Sequence, residues 1–379
     1  MMYRTSPSPC GERFEVLYKL FCSPADLDTW AKDICIEQTV EFPQDLLPPG
    51  DIPEQVVGRV EEIRTEPGEA WVRISYPVEA AGDDLVQLLN TIFGNTSLKP
   101  CVRVERLILT DSVLNHFRGP RFGMAGLRRL LNIPTRPLLC TAIKPLGLSP
   151  ADLAEQAYKF ALGGIDIIKD DHGITDQPFA RFEERVERCV EAVGRANQHT
   201  GYRTIYLPSL GVAHHRLVEL AHFAKLAGAG GLLVMPALTG FDSMRMLADD
   251  DSLGLPVMMH PALLGGFLGS KECGISHYAL FGQIARLAGA DATIYPNYGG
   301  RFSFSKEDCL EIAAGARDTL GKLLPIFPAP AGGMTMERVP EMLELYGPGI
   351  ILLIGSGLHR QNPDLIKASH YFRNLVEGI

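Results

Sequence analysis

The chain has 379 residues, of which 46% are hydrophobic and 21% charged, and its formal net charge is -9. This composition is typical of a globular protein that is long enough for two domains, or for one large barrel with an appended module. The acidic balance, without any cluster of basic residues, argues against nucleic acid as a partner.

No stretch approaches eighteen uncharged apolar residues, and the first residues lack the basic-then-apolar layout of a signal peptide. We therefore expect no membrane partner and a cytoplasmic location. The eight cysteines are scattered without a CxxC pair, so we expect reduced thiols.

The first third of the chain mixes strand and helix patterns in an irregular order. After a loose arm over residues 1 to about 10, the patterns predict strands at 14–20, 57–64, 70–76 and 102–109, with helices from Ser23 and over 83–93. This order is typical of an α+β domain, which we place at residues 1–125.

After Arg136 the pattern becomes regular. Eight apolar strands are predicted at 138–143, 165–169, 204–208, 231–235, 256–260, 292–295, 324–327 and 350–354. Helices are predicted to start near Pro150, Pro178, His214, Ser243, Gly274, Ser305, Thr335 and Pro363. Eight such repeats predict an α/β fold of the TIM (β/α)8 barrel type over residues 126–379, since a doubly wound open sheet usually stops at five to seven strands.

Polar side chains and glycine turns follow several of these strands. Lys144 follows the first strand, the run Lys169-Asp170-Asp171-His172 ends the second, and His260 ends the fifth. Active sites of TIM barrels lie at the C-terminal ends of the strands, so these residues predict a site there. For the second strand alone, a structural ion pair between Lys169 and Asp170 or Asp171 is the alternative.

The turns after the last two strands are rich in glycine, which allows the backbone to approach a ligand closely. Turns at these two strands often bind phosphate through backbone N–H groups, so we predict a phosphate site there. Lys169, Asp171 and His172 together predict a binding site for a divalent cation. Carboxylates suit Mg²⁺, whereas histidine suits Zn²⁺, Mn²⁺ or Fe²⁺; alternatively, His172 and His260 are general acid/base groups.

Two stretches carry a family resemblance. Residues 137–149 (PLLCTAIKPLGLS) and 163–179 (GGIDIIKDDHGITDQPF) resemble the signature stretches of the RuBisCO large subunit. The resemblance spans nearly the whole chain. It implies a ferredoxin-like N-terminal domain, a TIM barrel, and a head-to-tail homodimer whose site is completed by the partner's N-terminal domain.

The resemblance also implies a role for each matching residue. Lys144 corresponds to a proton-transferring lysine, Lys169 to a lysine that is carbamylated by CO₂, and Asp171 and His172 to the positions of two acidic Mg²⁺ ligands. The remaining correspondences are Asn95 and Glu37 reaching across from the second subunit, His260 as the histidine after strand five, Arg301 near a mobile-loop lysine, and Gly332, Gly333, Gly355 and Gly357 in the phosphate-binding turns.

The departures from the family's carboxylase are equally specific. The carboxylase has Glu at His172, Arg at Pro261, His at Tyr295, Ser at Ala331 and Lys at Arg301. Loss of an acidic ligand weakens the case for Mg²⁺ and for the carbamate, and loss of the arginine and serine removes contacts to a second phosphate.

The pattern is similar to RuBisCO-like proteins, which do not fix CO₂. It implies enolisation, isomerisation or decarboxylation of a phosphorylated ketose or oxo-sugar acid through an enediolate. The methionine-salvage enolase of this group carries a lysine where this chain has Asn95. Two alternatives remain open, which are ribulose-bisphosphate carboxylase activity and non-catalytic binding of a sugar phosphate.

Overall fold

The computed structural model describes Thr5 and residues 8–378. Most of the arm predicted at the N-terminus lies outside the described residues. The chain forms two compact units: residues up to 118 with 264–284 and 319–323 make the first, and residues 119–263, 285–318 and those from 324 onward make the second.

The strands, in chain order, are β1 (Arg13–Leu20), β2 (Arg59–Glu66), β3 (Glu69–Pro77), β4 (Val102–Ile108), β5 (Leu138–Ile143), β6 (Ile167–Asp170), β7 (Ile205–Leu207), β8 (Leu232–Val234), β9 (Val257–Met259), β10 (Gly274–Ile275), β11 (Ala292–Pro296), β12 (Phe327–Ala331) and β13 (Ile351–Leu353).

The helices are α1 (Leu27–Glu37), α2 (Val78–Ala81), α3 (Leu85–Phe93), α4 (Asp111–Asn115), α5 (Gly123–Leu131), α6 (Pro150–Leu162), α7 (Phe182–Thr200), α8 (His214–Ala227), α9 (Pro236–Thr239), α10 (Phe241–Asp249), α11 (Gly265–Leu268), α12 (Ala285–Leu287), α13 (Lys306–Arg317), α14 (Val339–Tyr346), α15 (Ser356–Gln361) and α16 (Leu365–Glu377). None of the helices in the described part of the chain is long and apolar enough to cross a membrane.

The first unit is built on a five-stranded sheet of order β10-β4-β1-β3-β2. Every second residue of β1 is buried, as the alternating sequence predicts, and β1 pairs antiparallel with both β3 and β4. The edge strand β2 is exposed along most of its length and carries charged residues, which discourages pairing with other chains. This unit confirms the predicted α+β arrangement.

The second unit contains the eight parallel strands of the barrel, and the predicted TIM barrel is thereby confirmed. Their ladders run β13-β5-β6-β7 and β12-β11-β9-β8. A parallel bridge between Ser209 and Leu233 joins β7 to β8. Alternate residues of each strand, such as Cys140, Ile167 and Ile294, pack together in one buried core inside the barrel.

Two prolines explain why the ladder is interrupted between β12 and β13. The N–H of Phe327 donates to Asp291 on the side of β11, so alternate residues of β12 face β11. Pro328 and Pro330 face the opposite neighbour and have no N–H to donate. The prolines also explain an error, because the sequence predicted this strand at 324–327, whereas it begins at Phe327.

The helix predicted to start near Gly274 begins three residues later and runs over 277–287, with π-helical geometry at Ala279–Ile284. Gly274 and Ile275 form β10, which pairs parallel with β4 of the first unit. Gly274 has a φ of 102°, and a Cβ there would lie 2.4 Å from the carbonyl oxygen of Leu268. Only glycine fits this position, which lies in a short extended segment directly before the helix.

Candidate active site

The charged side chains at the end of β6 face opposite sides of the barrel wall. Ile167 belongs to the inner core, and side chains alternate along a strand, so Lys169 also faces inward whereas Asp170 faces the surrounding helices. By the same alternation, the side chain of Asp171 also faces inward. The C-terminal ends of the eight strands, here called the barrel mouth, therefore receive Lys169 and Asp171 but not Asp170.

Asp170 is a structural residue. Its carboxylate accepts hydrogen bonds from the Tyr206 hydroxyl at 2.6 Å and the Ser209 N–H at 2.9 Å. It also forms a salt bridge of 3.2 Å with Arg185, and neither side chain of this pair is exposed. The charge of Asp170 raises the pKa of Arg185 against the opposing effect of burial. Asp170 therefore pairs with Arg185 rather than with Lys169.

Asp171 joins two other predicted site residues. Its Oδ1 lies 3.4 Å from Nζ of Lys144 and 3.7 Å from Nδ1 of His172. Burial opposes ionisation of Asp171, but the neighbouring His172 imidazole and the charges of Lys144 and Lys169 outweigh it, so its pKa is lowered. Asp171 is thus a carboxylate that holds a lysine ammonium at the mouth.

His260 follows β9 and stacks on His172, with ring centroids 4.5 Å apart and planes within 14°. Its Nδ1 accepts the N–H of Ala262 at 3.1 Å, which places the proton of the neutral ring on Nε2. Burial, together with the charges of Lys169 and His172, lowers the pKa of His260 well below its usual value. His260 is therefore a neutral donor at the mouth.

Lys169 is almost fully buried, and its Nζ donates to the carbonyl oxygen of Asp170 at 3.1 Å. Burial lowers the pKa of Lys169, with Cys140 and Asp171 opposing this effect and Lys144 adding to it. A lowered pKa increases the share of neutral amine, which is the form that reacts with carbonyl carbon and CO₂.

The glycine turn after β12 packs tightly against the loop after β11. Gly332 and Gly333 have φ values of 70° and 91°, in the region that favours glycine. A Cβ on Gly333 would lie 2.8 Å from Cα of Gly300, and one on Gly332 would lie 3.4 Å from the Phe302 ring. Close backbone approach thus requires glycine at Gly333, whereas at Gly332 the positive φ alone favours it.

Arg301 lies in the loop after β11 and is exposed. Its guanidinium carbon is 5.0 Å from the centroid of the Phe302 ring, and that ring covers the turn at Gly332. The structure therefore places Arg301 beside the glycine turn through Phe302.

The turn after β13 meets Lys144. A Cβ on Gly355 would lie 3.5 Å from both Cε and Nζ of Lys144. A Cβ on Gly357 would lie 3.0 Å from the carbonyl oxygen of Met334, in the preceding turn. The two predicted phosphate turns are thus adjacent, and the Lys144 ammonium lies at one of them.

Asn95 and Glu37 lie in the first unit. The side-chain amide of Asn95 donates to a carboxylate oxygen of Glu37 at 3.0 Å. The structure brings these two predicted residues together, although they are far apart in sequence.

The donors for a cation are few. Within the described residues, no group of three or more His, Cys, Asp or Glu side chains is arranged to hold a metal ion. Asp171 and His172 offer one oxygen and one nitrogen, with the two atoms 3.7 Å apart. These two donors alone are too few for a divalent cation, so a third ligand would be required.

Two further residues bear on the site. Tyr295 is fully buried, and the alternation of β11 directs it away from the mouth, where Pro296 faces instead. Gln156 was missed, although its side chain hydrogen-bonds the backbone of Lys144. A polar residue on a helix is normally exposed, so no local signal marks it.

A TIM barrel whose ionisable side chains gather at the C-terminal ends of its strands is the architecture of an enzyme. Residues 123–363 match the family described as ribulose bisphosphate carboxylase large chain, catalytic domain. The chain belongs to this family.

Relatives with named activities cover nearly the whole chain. It is 38% identical over 370 residues to a protein from Rhodospirillum rubrum named 5-methylthioribulose-1-phosphate isomerase, covering 97% of each chain. It is 33% identical over 332 residues to a 2,3-diketo-5-methylthiopentyl-1-phosphate enolase from Bacillus pumilus, covering 85% of this chain and 81% of the relative. The crystal structure of a RuBisCO-like protein from Rhodopseudomonas palustris aligns with a TM-score of 0.88 at 37% identity, over 98% of each chain.

Proposed function

We propose that this protein is a non-carboxylating enzyme of the RuBisCO family. It moves a proton next to the carbonyl of a phosphorylated ketose through an enediolate, and 5-methylthioribulose 1-phosphate is the first candidate substrate. One observation carries the proposal: the Lys144 ammonium lies 3.4 Å from Asp171 and against the glycine turn at Gly355. A proton-transferring group is thereby held beside a predicted phosphate site.

Each residue at the mouth has its own role in the proposed proton transfer. Lys144, after releasing one ammonium proton to solvent, takes the proton from the carbon next to the carbonyl, and Asp171 stabilises the ammonium that forms again. The C–H electron pair becomes the new carbon–carbon double bond, and the carbonyl π pair moves to oxygen. The Nε2–H of His260 stabilises this oxygen, and Lys169 acts through the cation described below. Transfer of the hydroxyl proton of the first carbon to this oxygen, with return of the abstracted proton to the former carbonyl carbon, completes an isomerisation without any redox cofactor.

A divalent cation belongs to this proposal. Asp171, His172 and a carbamate on Lys169 would hold it, and it would polarise the substrate carbonyl as a Lewis acid. Mg²⁺ is the cation that the resemblance implies. The imidazole of His172 is a softer donor that suits Mn²⁺, Fe²⁺ or Zn²⁺.

The remaining features of the proposal concern organisation. Residues 1–125 are the N-terminal domain and residues 126–379 the catalytic domain of a cytoplasmic homodimer. Asn95 and Glu37 contribute to the site of the partner subunit. Neither nucleic acid nor a membrane is a partner.

The test is solvent-deuterium exchange into candidate substrates, detected by mass. The parent protein should exchange the α-proton of 5-methylthioribulose 1-phosphate and release an isomer. The variants Lys144→Ala and Lys169→Ala should be slower by about 100-fold or more. Lys159→Ala is the matched control, because this lysine of α6 forms an exposed ion pair with Glu155 rather than with a residue of the mouth.

If both lysine variants exchange the proton at the parent rate, the assignment fails. Uptake of labelled CO₂ onto ribulose bisphosphate would instead establish the carboxylase alternative. Binding of sugar phosphates without any turnover would establish the non-catalytic alternative.

A second candidate is the enolase reaction named for the Bacillus pumilus relative. The resemblance pairs that activity with a lysine at the position of Asn95. The Asn95 side chain is a neutral amide that donates a hydrogen bond to Glu37, so it supplies no positive charge. We therefore rank the isomerase first, and the diketone and oxo-sugar acid phosphates complete the substrate panel.

A further inference from the structure

Gln156 holds both backbone groups of Lys144. Its Nε2 donates to the Lys144 carbonyl oxygen at 2.7 Å, and its Oε1 accepts the Lys144 N–H at 3.1 Å. Lys144 is the first residue after β5, so these groups have left the strand ladder and need other partners. The side chain of Gln156, which lies on α6, supplies the partner of each group.

Helix α6 does not depend on Gln156 for its own stability. Its N-terminus is capped by Ser149, whose hydroxyl accepts the N–H of Asp152. Its packed face consists of other residues, including Leu153, Ala157 and Phe160, which are fully buried. Gln156 instead lines a cavity of about 350 Å³, together with Leu148, Asp152, Glu155, Lys159, His359, Pro363 and Leu365.

Among the residues that the structure describes, the Lys144 side chain has one ion pair, which is with Asp171. Its contact with Asp171 lies in partly exposed surroundings, where an ion pair contributes little to fixing a long side chain. The position of the Lys144 ammonium therefore depends on where the Lys144 backbone is held. Misplacement of a reacting group by about 1 Å can slow a reaction by about 100-fold.

We propose that Gln156 is a positioning residue for Lys144. By clamping the Lys144 backbone, it keeps the ammonium between the Asp171 carboxylate and the turn at Gly355. This inference rests on the proposed function, in which Lys144 transfers the substrate proton. Gln156 itself touches no substrate.

The experiment uses the full chain with three variants. Gln156→Leu removes both hydrogen bonds at similar volume. Gln156→Glu keeps an acceptor for the Lys144 N–H but loses the donor to its carbonyl. Glu155→Gln is the matched control, because it changes a polar residue of the same helix and cavity that does not contact Lys144.

The first measurement is deuterium exchange into 5-methylthioribulose 1-phosphate. For Gln156→Leu we expect kcat to fall about 10-fold with KM within about two-fold of the parent, because the clamp orients the lysine and does not bind substrate. Gln156→Glu should retain an intermediate kcat, and Glu155→Gln the parent value. A parent kcat in Gln156→Leu, or an equal loss in Glu155→Gln, overturns the proposal.

The second measurement does not require turnover. Amide hydrogen exchange of the protein, followed by mass spectrometry, reports the Lys144 N–H directly. It should exchange about 10-fold faster in Gln156→Leu and remain protected in Gln156→Glu and Glu155→Gln. If the parent turns over no substrate, the proposed function fails, and this comparison still decides the clamp: unchanged protection in Gln156→Leu refutes it.

Discussion

The neighbours Asp170 and Asp171 should respond oppositely to the same substitution. Asp170→Asn removes the counter-charge of Arg185 at a place where neither side chain is exposed. Breaking a buried ion pair costs about 3–5 kcal/mol, because the remaining charge stays desolvated. For a barrel of this size, about 2–4 °C of Tm is lost per kcal/mol, so Tm should fall by about 6–20 °C.

Asp171→Asn should leave Tm within about 3 °C of the parent, since this side chain is partly exposed and its ion pair with Lys144 is weak. It should instead slow proton exchange by about 10-fold or more, because Lys144 loses the carboxylate beside it. The assays are calorimetric unfolding and deuterium exchange into substrate on both variants.

A double variant tests the cause. Asp170→Asn combined with Arg185→Met removes the orphaned charge, so part of the lost Tm should return. The recovery is only partial, because Arg185 also donates to the carbonyl oxygens of Ala180 and Thr175. The reasoning is refuted if Asp170→Asn lowers Tm by less than about 2 °C, or if the double variant is no more stable than the single.

Two further predictions concern the mouth. Because the pKa of His260 lies well below its usual value of 6.5 in the folded protein, the unfolded chain binds more protons below that pH. Stability should therefore fall as the pH drops below about 6.5, and denaturant unfolding of His260→Gln at several pH values should show a flatter dependence; an identical dependence would contradict the assignment. Gly355→Ala should fold with an unchanged Tm, since its Cβ would have ordinary contact distances of 3.5 Å to Lys144. It should raise KM for the phosphorylated substrate by about 10-fold, and an unchanged KM would remove this turn from the phosphate site.

Much of the fold follows from local patterns in the sequence. The alternation of β1 and the eight apolar strands after Arg136 each need only one segment to be recognised. The barrel follows because eight such repeats have few other ways to bury their apolar faces. The error in the bounds of β12 arose where two prolines impose backbone constraints that hydrophobicity does not express.

The set of residues at the mouth was also predictable as a set, since the ends of parallel strands meet on one side. The sequence by itself determined that Lys144, Lys169, Asp171, His172 and His260 lie near one another.

Only the tertiary structure decided what each charge does. In the sequence, Asp170 and Asp171 are equivalent neighbours, but the strand turns one towards buried Arg185 and the other towards Lys144. The role of Gln156 likewise depends on a contact between a helix and the end of a strand. Such contacts join residues through three-dimensional packing, and no local pattern encodes which partner a polar side chain will meet.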